Sequence, residues 1–151
     1  MQYNEIIATA DYGISIAFIQ VFVLRFDKPN LQDFEMLIVI VEDDRFLLRS
    51  LEIILKQHGH RVMSFHNAEA ALFFLKQRPI MDVLVIDYQL QCFTAKHLLQ
   101  QLKEVIPEKC KVILISGHTD VIEKLNLKEI GVGVFLPKPL DLDQLLLQIT
   151  N

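Results

Sequence analysis

Three consecutive carboxylates, Glu42, Asp43 and Asp44, stand directly after the unbroken aliphatic run Leu37–Val41. Neighbouring carboxylates repel one another and lose solvation near a protein interior, so the arrangement costs stability unless a cation or hydrogen-bond donors offset it. A further acid, Asp87, ends a second aliphatic run. Clustered carboxylates provide the oxygen ligands that Mg²⁺ prefers, and a carboxylate can also act as the nucleophile that forms an acyl phosphate.

Two other polar residues, Ser116 and Lys138, end aliphatic runs later in the chain. A lysine and a hydroxyl that face clustered acids can hold the oxygens of a phosphoryl group while a metal ion neutralises charge during its transfer. Each residue alone also has an ordinary interpretation, because a serine before Gly117 suits a turn and a lysine suits a solvated surface. The set predicts phosphoryl chemistry only if the fold brings these residues together.

The elements that would position them are five short runs rich in β-branched and aliphatic residues, which alternate with helical patterns. Between the first two runs, Leu47, Leu51 and Ile54 repeat at the spacing of one helix face, and Gly59 follows as a stop signal. The residues that we predict to cap helices at their N-termini are Asp44, Asn67, Thr94 and Asp141. The predicted strands are residues 37–41, 61–65, 82–86, 111–115 and 132–136.

This alternation predicts an α/β fold: a doubly wound five-stranded parallel sheet of the flavodoxin-like (βα)5 type, with strand order 2-1-3-4-5. In such a sheet, ligands bind at the carboxyl ends of the strands, in the crevice where the strand order reverses between the first and third strands. The acids after strands one and three occupy that place in the sequence. We therefore expect Glu42, Asp43 and Asp87 to converge there.

Composition narrows the classes of partner and compartment. The chain has 151 residues and a formal net charge of −4, and we find no basic run that would follow a phosphate backbone, so we expect no binding to nucleic acid. Its two cysteines, Cys92 and Cys110, are too few for a disulfide framework or a zinc site. This usage favours a reducing compartment, and we expect a cytoplasmic protein.

Residues 1–36 do not resemble the rest of the chain, and we treat them as an N-terminal extension of unknown role. Their apolar run, Tyr12 to Leu24, is shorter than the roughly 18 residues expected of a membrane span. Three interpretations remain open: an extra element docked on the domain, a membrane-surface anchor, and a non-native extension upstream of a start at Met36. An anchor is disfavoured because Asp11 and Gln20 interrupt the run and no Lys/Arg cluster flanks it.

From Leu37 onward the sequence resembles the receiver domain of two-component response regulators. The resemblance implies that Asp87 is the phosphoacceptor. It also implies that Mg²⁺ is held by Asp43, by Asp87, by the backbone carbonyl of Gln89, and by Glu42 directly or through water. Residues 37–151 would form the domain.

The same resemblance assigns the remaining positions of the site. Ser116 would be the hydroxyl that follows the phosphoryl group, Phe135 the aromatic switch residue, and Lys138 the lysine before a cis peptide bond to Pro139. An ordinary core role for Phe135 stays open.

The residues that depart from the family pattern supply no side chain to the chemistry. Receivers usually carry Pro four residues after the phosphoacceptor and Gly eight residues after it, where this chain has Gln91 and Ala95. Gly tolerates positive φ and Pro fixes φ, so the conformation of this loop is in question. Phe135 in place of the more frequent Tyr removes a hydroxyl that could report the switched state. Gln89 and His118 stand where receivers tune the lifetime of the acyl phosphate, although both also suit solvated loops.

The resemblance implies a stand-alone signalling switch, not an enzyme, whose partner is a histidine kinase or a histidine phosphotransfer protein. The chain ends at Asn151 near the last predicted helix, so we expect the output to be an unidentified protein partner, and phosphorylation-dependent homodimerisation is one form that it could take. A second hypothesis is a phosphorylation-independent, receiver-like interaction module. A third, a metal-dependent phosphatase, is disfavoured because such enzymes place an acid two residues after the nucleophile, where this chain has Gln89.

Overall fold

The computed structural model describes residues 35–151, and the structural statements below concern that part of the chain. Residues 1–34, with the apolar run discussed above, lie outside it. Five strands form one sheet, all parallel, in the order β2-β1-β3-β4-β5. This confirms the predicted fold and strand order. The strands are β1 (Leu37–Val41), β2 (Arg61–Phe65), β3 (Val83–Asp87), β4 (Lys111–Ser116) and β5 (Val134–Pro137).

The helices follow the strands in turn. They are α1 (Arg45–Gln57), α2 (Ala68–Leu75), α3 (Ala95–Leu102), α4 (Thr119–Ile122) and α5 (Leu142–Thr150). The capping predictions are confirmed, because the side chains of Asp44, Asn67, Thr94 and Asp141 each accept hydrogen bonds from the first turn of the next helix. Gly59 follows the end of α1 with φ of +85°, a conformation that glycine adopts without steric cost.

The sheet is covered on both faces. One apolar cluster packs α1 and α5 against side chains such as Ile38, Ile40 and Ile113, and the other packs α2 and α3 against Val39 and Leu84. Because both faces are covered, β1, β3 and β4 are buried almost throughout, as their continuous aliphatic runs predicted. Edge strand β2 remains partly exposed.

The third and fourth strands differ from the prediction by a single residue. β3 runs from Val83 to Asp87 and β4 reaches Ser116, so the phosphoacceptor candidate and the hydroxyl candidate are the last residues of their strands. The Asp82 carboxylate accepts a hydrogen bond from the Leu37 amide at 2.7 Å at the other end of the sheet. Differences of this size are common at element ends.

The fifth strand begins two residues later than predicted, at Val134. The amide of Val132 donates to the carbonyl of Leu127, so this residue belongs to the preceding turn and not to the strand. The fourth helix is a short one that ends at Ile122, after which turns continue to Gly131. Within residues 35–151, every helix is too short or too polar to cross a membrane.

Candidate functional site

The first two acids lie where β1 leaves the sheet. The backbone amide of Glu42 donates to the carbonyl of Phe65 at 3.1 Å, which continues the pairing of β1 with β2 beyond the end of β1. Glu42 is therefore held against the sheet and is only 1% exposed, whereas Asp43 is partly exposed. Asp44 then begins the connection to α1 as its N-cap.

Asp87 reaches the same place from β3. The register pairs Val41 with Ile86, so the last residue of β3 lies beside the residues that follow β1. Glu42, Asp43 and Asp87 each offer a carboxylate oxygen within 4.8 Å of the others. Asp87 is 7% exposed, and one of its oxygens, Oδ1, accepts a hydrogen bond from the Gln89 amide at 3.2 Å. The structure thus brings together the three side chains that we predicted as metal ligands.

Lys138 connects two of these acids. Its Nζ lies 2.9 Å from Glu42 Oε2 and 2.7 Å from Asp87 Oδ2. Its backbone amide donates to the carbonyl of Ser116 at 2.8 Å, and the peptide bond to Pro139 is cis, as the resemblance implied. Sequence reasoning expected Lys138 to hold phosphoryl oxygens. The ammonium of Lys138 also offsets the charge of the acids.

Burial and pairing shift two pKa values in the site. Burial raises the pKa of Glu42 from 4.5 to about 7; the hydrogen bond from Lys138 opposes this rise and the charge of Asp87 adds to it. For Lys138, burial alone would lower the pKa, but the hydrogen bonds to Asp87 and Glu42 outweigh it and raise the pKa above its ordinary value. Lys138 therefore stays charged, while ionisation of Glu42 is penalised.

Ser116 lies on β4, which pairs with β3, and Phe135 lies on the edge strand β5, which pairs with β4. Ser116 is fully buried at the end of β4, and its Oγ accepts a hydrogen bond from the His118 amide at 2.9 Å. Phe135 is half-buried, lies opposite Leu114 and packs against the cluster under α2 and α3. The side chains of His118 and Gln89 are exposed. These positions agree with the predicted placement, and the switch roles themselves stay predictions.

The loop after β3 accommodates the departures from the family pattern. Gln89 forms an isolated bridge with Thr94, and the amides of Leu90 and Phe93 donate to each other's carbonyls. Among residues 35–151, positive φ occurs only at two glycines, Gly59 and Gly131, and at Arg78. Ala95 therefore needs no conformation that requires glycine, and the loop is ordered by backbone pairing without a proline.

The donor set suits a hard divalent cation. Within the described chain, Glu42, Asp43 and Asp87 are the one group of three or more His, Cys, Asp or Glu side chains whose ligand atoms converge. All three offer carboxylate oxygens, which Mg²⁺ prefers, and none offers the nitrogen or sulfur that zinc sites use. The residues present therefore fit Mg²⁺.

The fold is a doubly wound parallel sheet, and three acids and a lysine meet at its switch point. The family of response regulator receiver domains matches residues 38–150 of this chain. The chain belongs to this family.

Curated relatives match the same part of the chain. The TorCAD operon transcriptional regulatory protein TorR of Escherichia coli K12 is 29% identical over 114 residues, which are 76% of this chain and 48% of TorR. The DNA-binding transcriptional regulator NtrC of Proteus hauseri is 31% identical over 108 residues, which are 71% of this chain and 22% of NtrC. The chain thus spans about half the length of the first relative and less than a quarter of the second.

Solved structures agree with the fold. A response regulator receiver protein from Pseudomonas putida is 27% identical, with a TM-score of 0.65, and the match covers 77% of this chain and 95% of that one. A two-component response regulator from Clostridium difficile has a TM-score of 0.69 at 20% identity, covering 76% of this chain and 93% of that one. The second likeness is one of fold.

Proposed function

We propose that this protein is a phosphorylation-controlled signalling switch of a two-component system. Asp87 accepts a phosphoryl group from a phosphohistidine of a sensor kinase or phosphotransfer protein, and Mg²⁺ is the cofactor. The observation that supports this most directly is the placement of Asp87. Its carboxylate lies at the end of β3, within 4.8 Å of two other acids and 2.7 Å from Lys138 Nζ.

Asp43, Asp87 and the backbone carbonyl of Gln89 would hold the metal ion, with Glu42 acting directly or through water. When bound, Mg²⁺ supplies positive charge that neutralises the carboxylates and the transferring phosphoryl oxygens. The chain fits this role because three carboxylates converge there and one ammonium balances only part of their charge.

The chemical step uses one oxygen of Asp87. A carboxylate oxygen attacks phosphorus in line with the leaving imidazole; a P–O bond forms, the P–N bond breaks, and the histidine nitrogen keeps the electron pair. Lys138, which donates to Asp87 Oδ2 before transfer, then donates to a phosphoryl oxygen. The hydroxyl of Ser116 turns toward the phosphoryl group, and Phe135 moves inward. Contacts of the surface formed by α4, β5 and α5 change as a result, for a protein partner or for a second copy of the chain.

The test is phosphorylation by a small donor. The protein is incubated with acetyl phosphate and Mg²⁺ and its mass is measured; we expect a gain of about 80 Da, the mass of one phosphoryl group. Asp87→Asn should abolish the gain. Asp143→Asn, which removes an exposed carboxylate in the first turn of α5, is the matched control and should keep it. A gain that survives in Asp87→Asn would show that another residue is the acceptor.

A phosphorylation-independent interaction module is the second candidate. Gln91, Ala95 and Phe135 favour it, because they replace residues that the family commonly uses around the switch. A Mg²⁺ titration separates the two candidates, since a pocket that binds no Mg²⁺ at millimolar concentration supports the second. A phosphatase remains the third candidate, and turnover of an aryl phosphate would support it despite Gln89.

The setting of this function is part of the proposal. Residues 37–151 form the signalling domain and residues 1–36 are an extension. The protein acts in the cytoplasm through protein partners, without binding nucleic acid or a membrane. The net charge of −4 and the two separate cysteines support this setting.

A further inference from the structure

Asp44, which the chemistry above does not use, is joined to the site through its backbone. Its side-chain Oδ1 accepts hydrogen bonds from the amides of Phe46 at 2.9 Å and Leu47 at 3.1 Å, so it caps α1. Its own backbone amide donates to Glu42 Oε1 at 3.1 Å. One residue therefore ties the start of a helix to a buried carboxylate.

Glu42 is held from both sides. Oε1 accepts from the Asp44 amide and Oε2 accepts from Lys138 Nζ at 2.9 Å, while the same Nζ donates to Asp87 Oδ2 at 2.7 Å. At 1% exposure, Glu42 has almost no access to solvent that could replace a lost donor. A continuous path of hydrogen bonds thus runs from the cap of α1 through Glu42 and Lys138 to Asp87.

The direction of the Asp44 amide depends on the cap. An N-cap residue has non-helical φ and ψ, here −69° and 102°, and its side-chain hydrogen bonds hold it in that conformation. Without the acceptor side chain, the first turn of α1 frays and the amide no longer points steadily at Glu42. Outer partners of this kind orient metal-binding carboxylates and typically change metal affinity about 10-fold to 100-fold when they are removed.

We propose that Asp44 is a positioning residue of the phosphorylation site. Its cap fixes the Glu42 carboxylate, which in turn fixes Lys138 relative to Asp87. The proposal rests on the proposed function for its link to Mg²⁺, but its geometric part concerns only residues of this chain.

The main experiment compares the Mg²⁺ affinity of three variants with that of wild type. Asp44→Ala removes the cap; Asp44→Asn keeps an acceptor oxygen but removes the charge. Asn67→Ala removes a comparable cap, because Asn67 accepts from the Ala70 amide at 2.8 Å at the start of α2. Since the chain has no tryptophan, titration calorimetry with MgCl₂ is a suitable readout.

We expect the Mg²⁺ dissociation constant to rise about tenfold in Asp44→Ala and to stay within about twofold of wild type in Asp44→Asn and Asn67→Ala. If Asp44→Ala keeps the wild-type constant, the cap serves stability alone and the proposal fails. If Asp44→Asn is as weak as Asp44→Ala, the negative charge of Asp44 explains the effect and the proposal also fails.

A second measurement needs no metal ion. The unfolding equilibrium constants of wild type, Asp44→Ala, Lys138→Met and the double variant form a double-mutant cycle. If Asp44 and Lys138 are coupled through Glu42, the factor by which Lys138→Met changes this constant is at least about threefold smaller in the Asp44→Ala background than in wild type. If the two substitutions act independently, their factors multiply in the double variant. If wild type binds no Mg²⁺, the proposed function fails while this cycle still decides whether Asp44 positions Lys138.

Discussion

Glu42→Gln should remove a pH-dependent component of the stability of the metal-free protein. Burial raises the pKa of Glu42 from 4.5 to about 7, so the folded state holds the proton more tightly than the unfolded chain does. The protonated form therefore contributes stability that is fully present below pH 4.5 and is lost as the pH rises through about 7. Each pH unit corresponds to about 1.4 kcal/mol, so the component is about 3 kcal/mol.

The assay is urea denaturation of wild type and Glu42→Gln at several values between about pH 4 and about pH 8, without divalent cations. Glutamine resembles the protonated acid in shape but does not ionise. Other groups also bind protons in this range, so the informative quantity is the difference between the two proteins. We expect the unfolding free energy of Glu42→Gln, relative to wild type, to increase by about 3 kcal/mol across the range.

Lys138 does not interfere with this comparison, because its pKa is raised and its own contribution to the pH dependence of stability falls at alkaline pH. That contribution is present at lower pH and is lost only as the pH rises through the raised value. Addition of Mg²⁺ near pH 8 should stabilise wild type more than Glu42→Gln, because the ionised carboxylate then has a ligand role. If the two proteins show parallel pH profiles, ionisation of Glu42 carries no penalty and our account of the site is wrong.

Three further predictions test the packing and the charges of the fold. Lys138→Met should lower the unfolding free energy of the metal-free protein by about 3 kcal/mol, because it leaves two buried carboxylates without their cation. Urea denaturation at neutral pH measures this change. An unchanged value would mean that the ion pairs of Lys138 contribute nothing to stability. Leu51→Ala should lower the unfolding free energy by about 3 kcal/mol, because Leu51 is fully buried in α1. Ile53 lies on the same helix but is 42% exposed, so Ile53→Ala should lower it by less than about 1 kcal/mol. Equal losses would contradict the assignment of these residues to buried and exposed faces. Gly59→Ala should cost about 1 kcal/mol through backbone strain alone, measured by thermal unfolding, since a Cβ there meets no atom within 4 Å.

The fold was predictable because local and global signals agree. Runs such as β3, with four aliphatic residues before Asp87, are long enough for a buried strand and too short for a helix, and the caps at Asn67 and Thr94 mark where the helices begin. The strand order was predicted from the number and length of the strand-helix units, which are typical of the flavodoxin-like order. The late start of β5 was not predictable, because the bond that keeps Val132 in the preceding turn depends on Leu127.

The convergence of the three acids was predictable, but the contacts around them were not all predictable. Parallel strands end at one edge of the sheet, so Glu42, Asp43 and Asp87 had to meet there. Which donor satisfies which oxygen depends on side-chain rotamers and on small shifts of the backbone. The hydrogen bonds that Glu42 accepts from Lys138 and from the Asp44 amide could therefore be identified only from the structure.

The ammonium of Lys138 has a further consequence for how the protein responds to its surroundings. Because Nζ contacts Glu42 Oε2 and Asp87 Oδ2, it competes for those two oxygens with any cation that would bind them. The observed free energy of binding a divalent ion that displaces the lysine is then less favourable than the intrinsic one by the free energy of that displacement. A tethered competitor of this kind raises the cation concentration at which half of the protein is occupied, while binding stays graded.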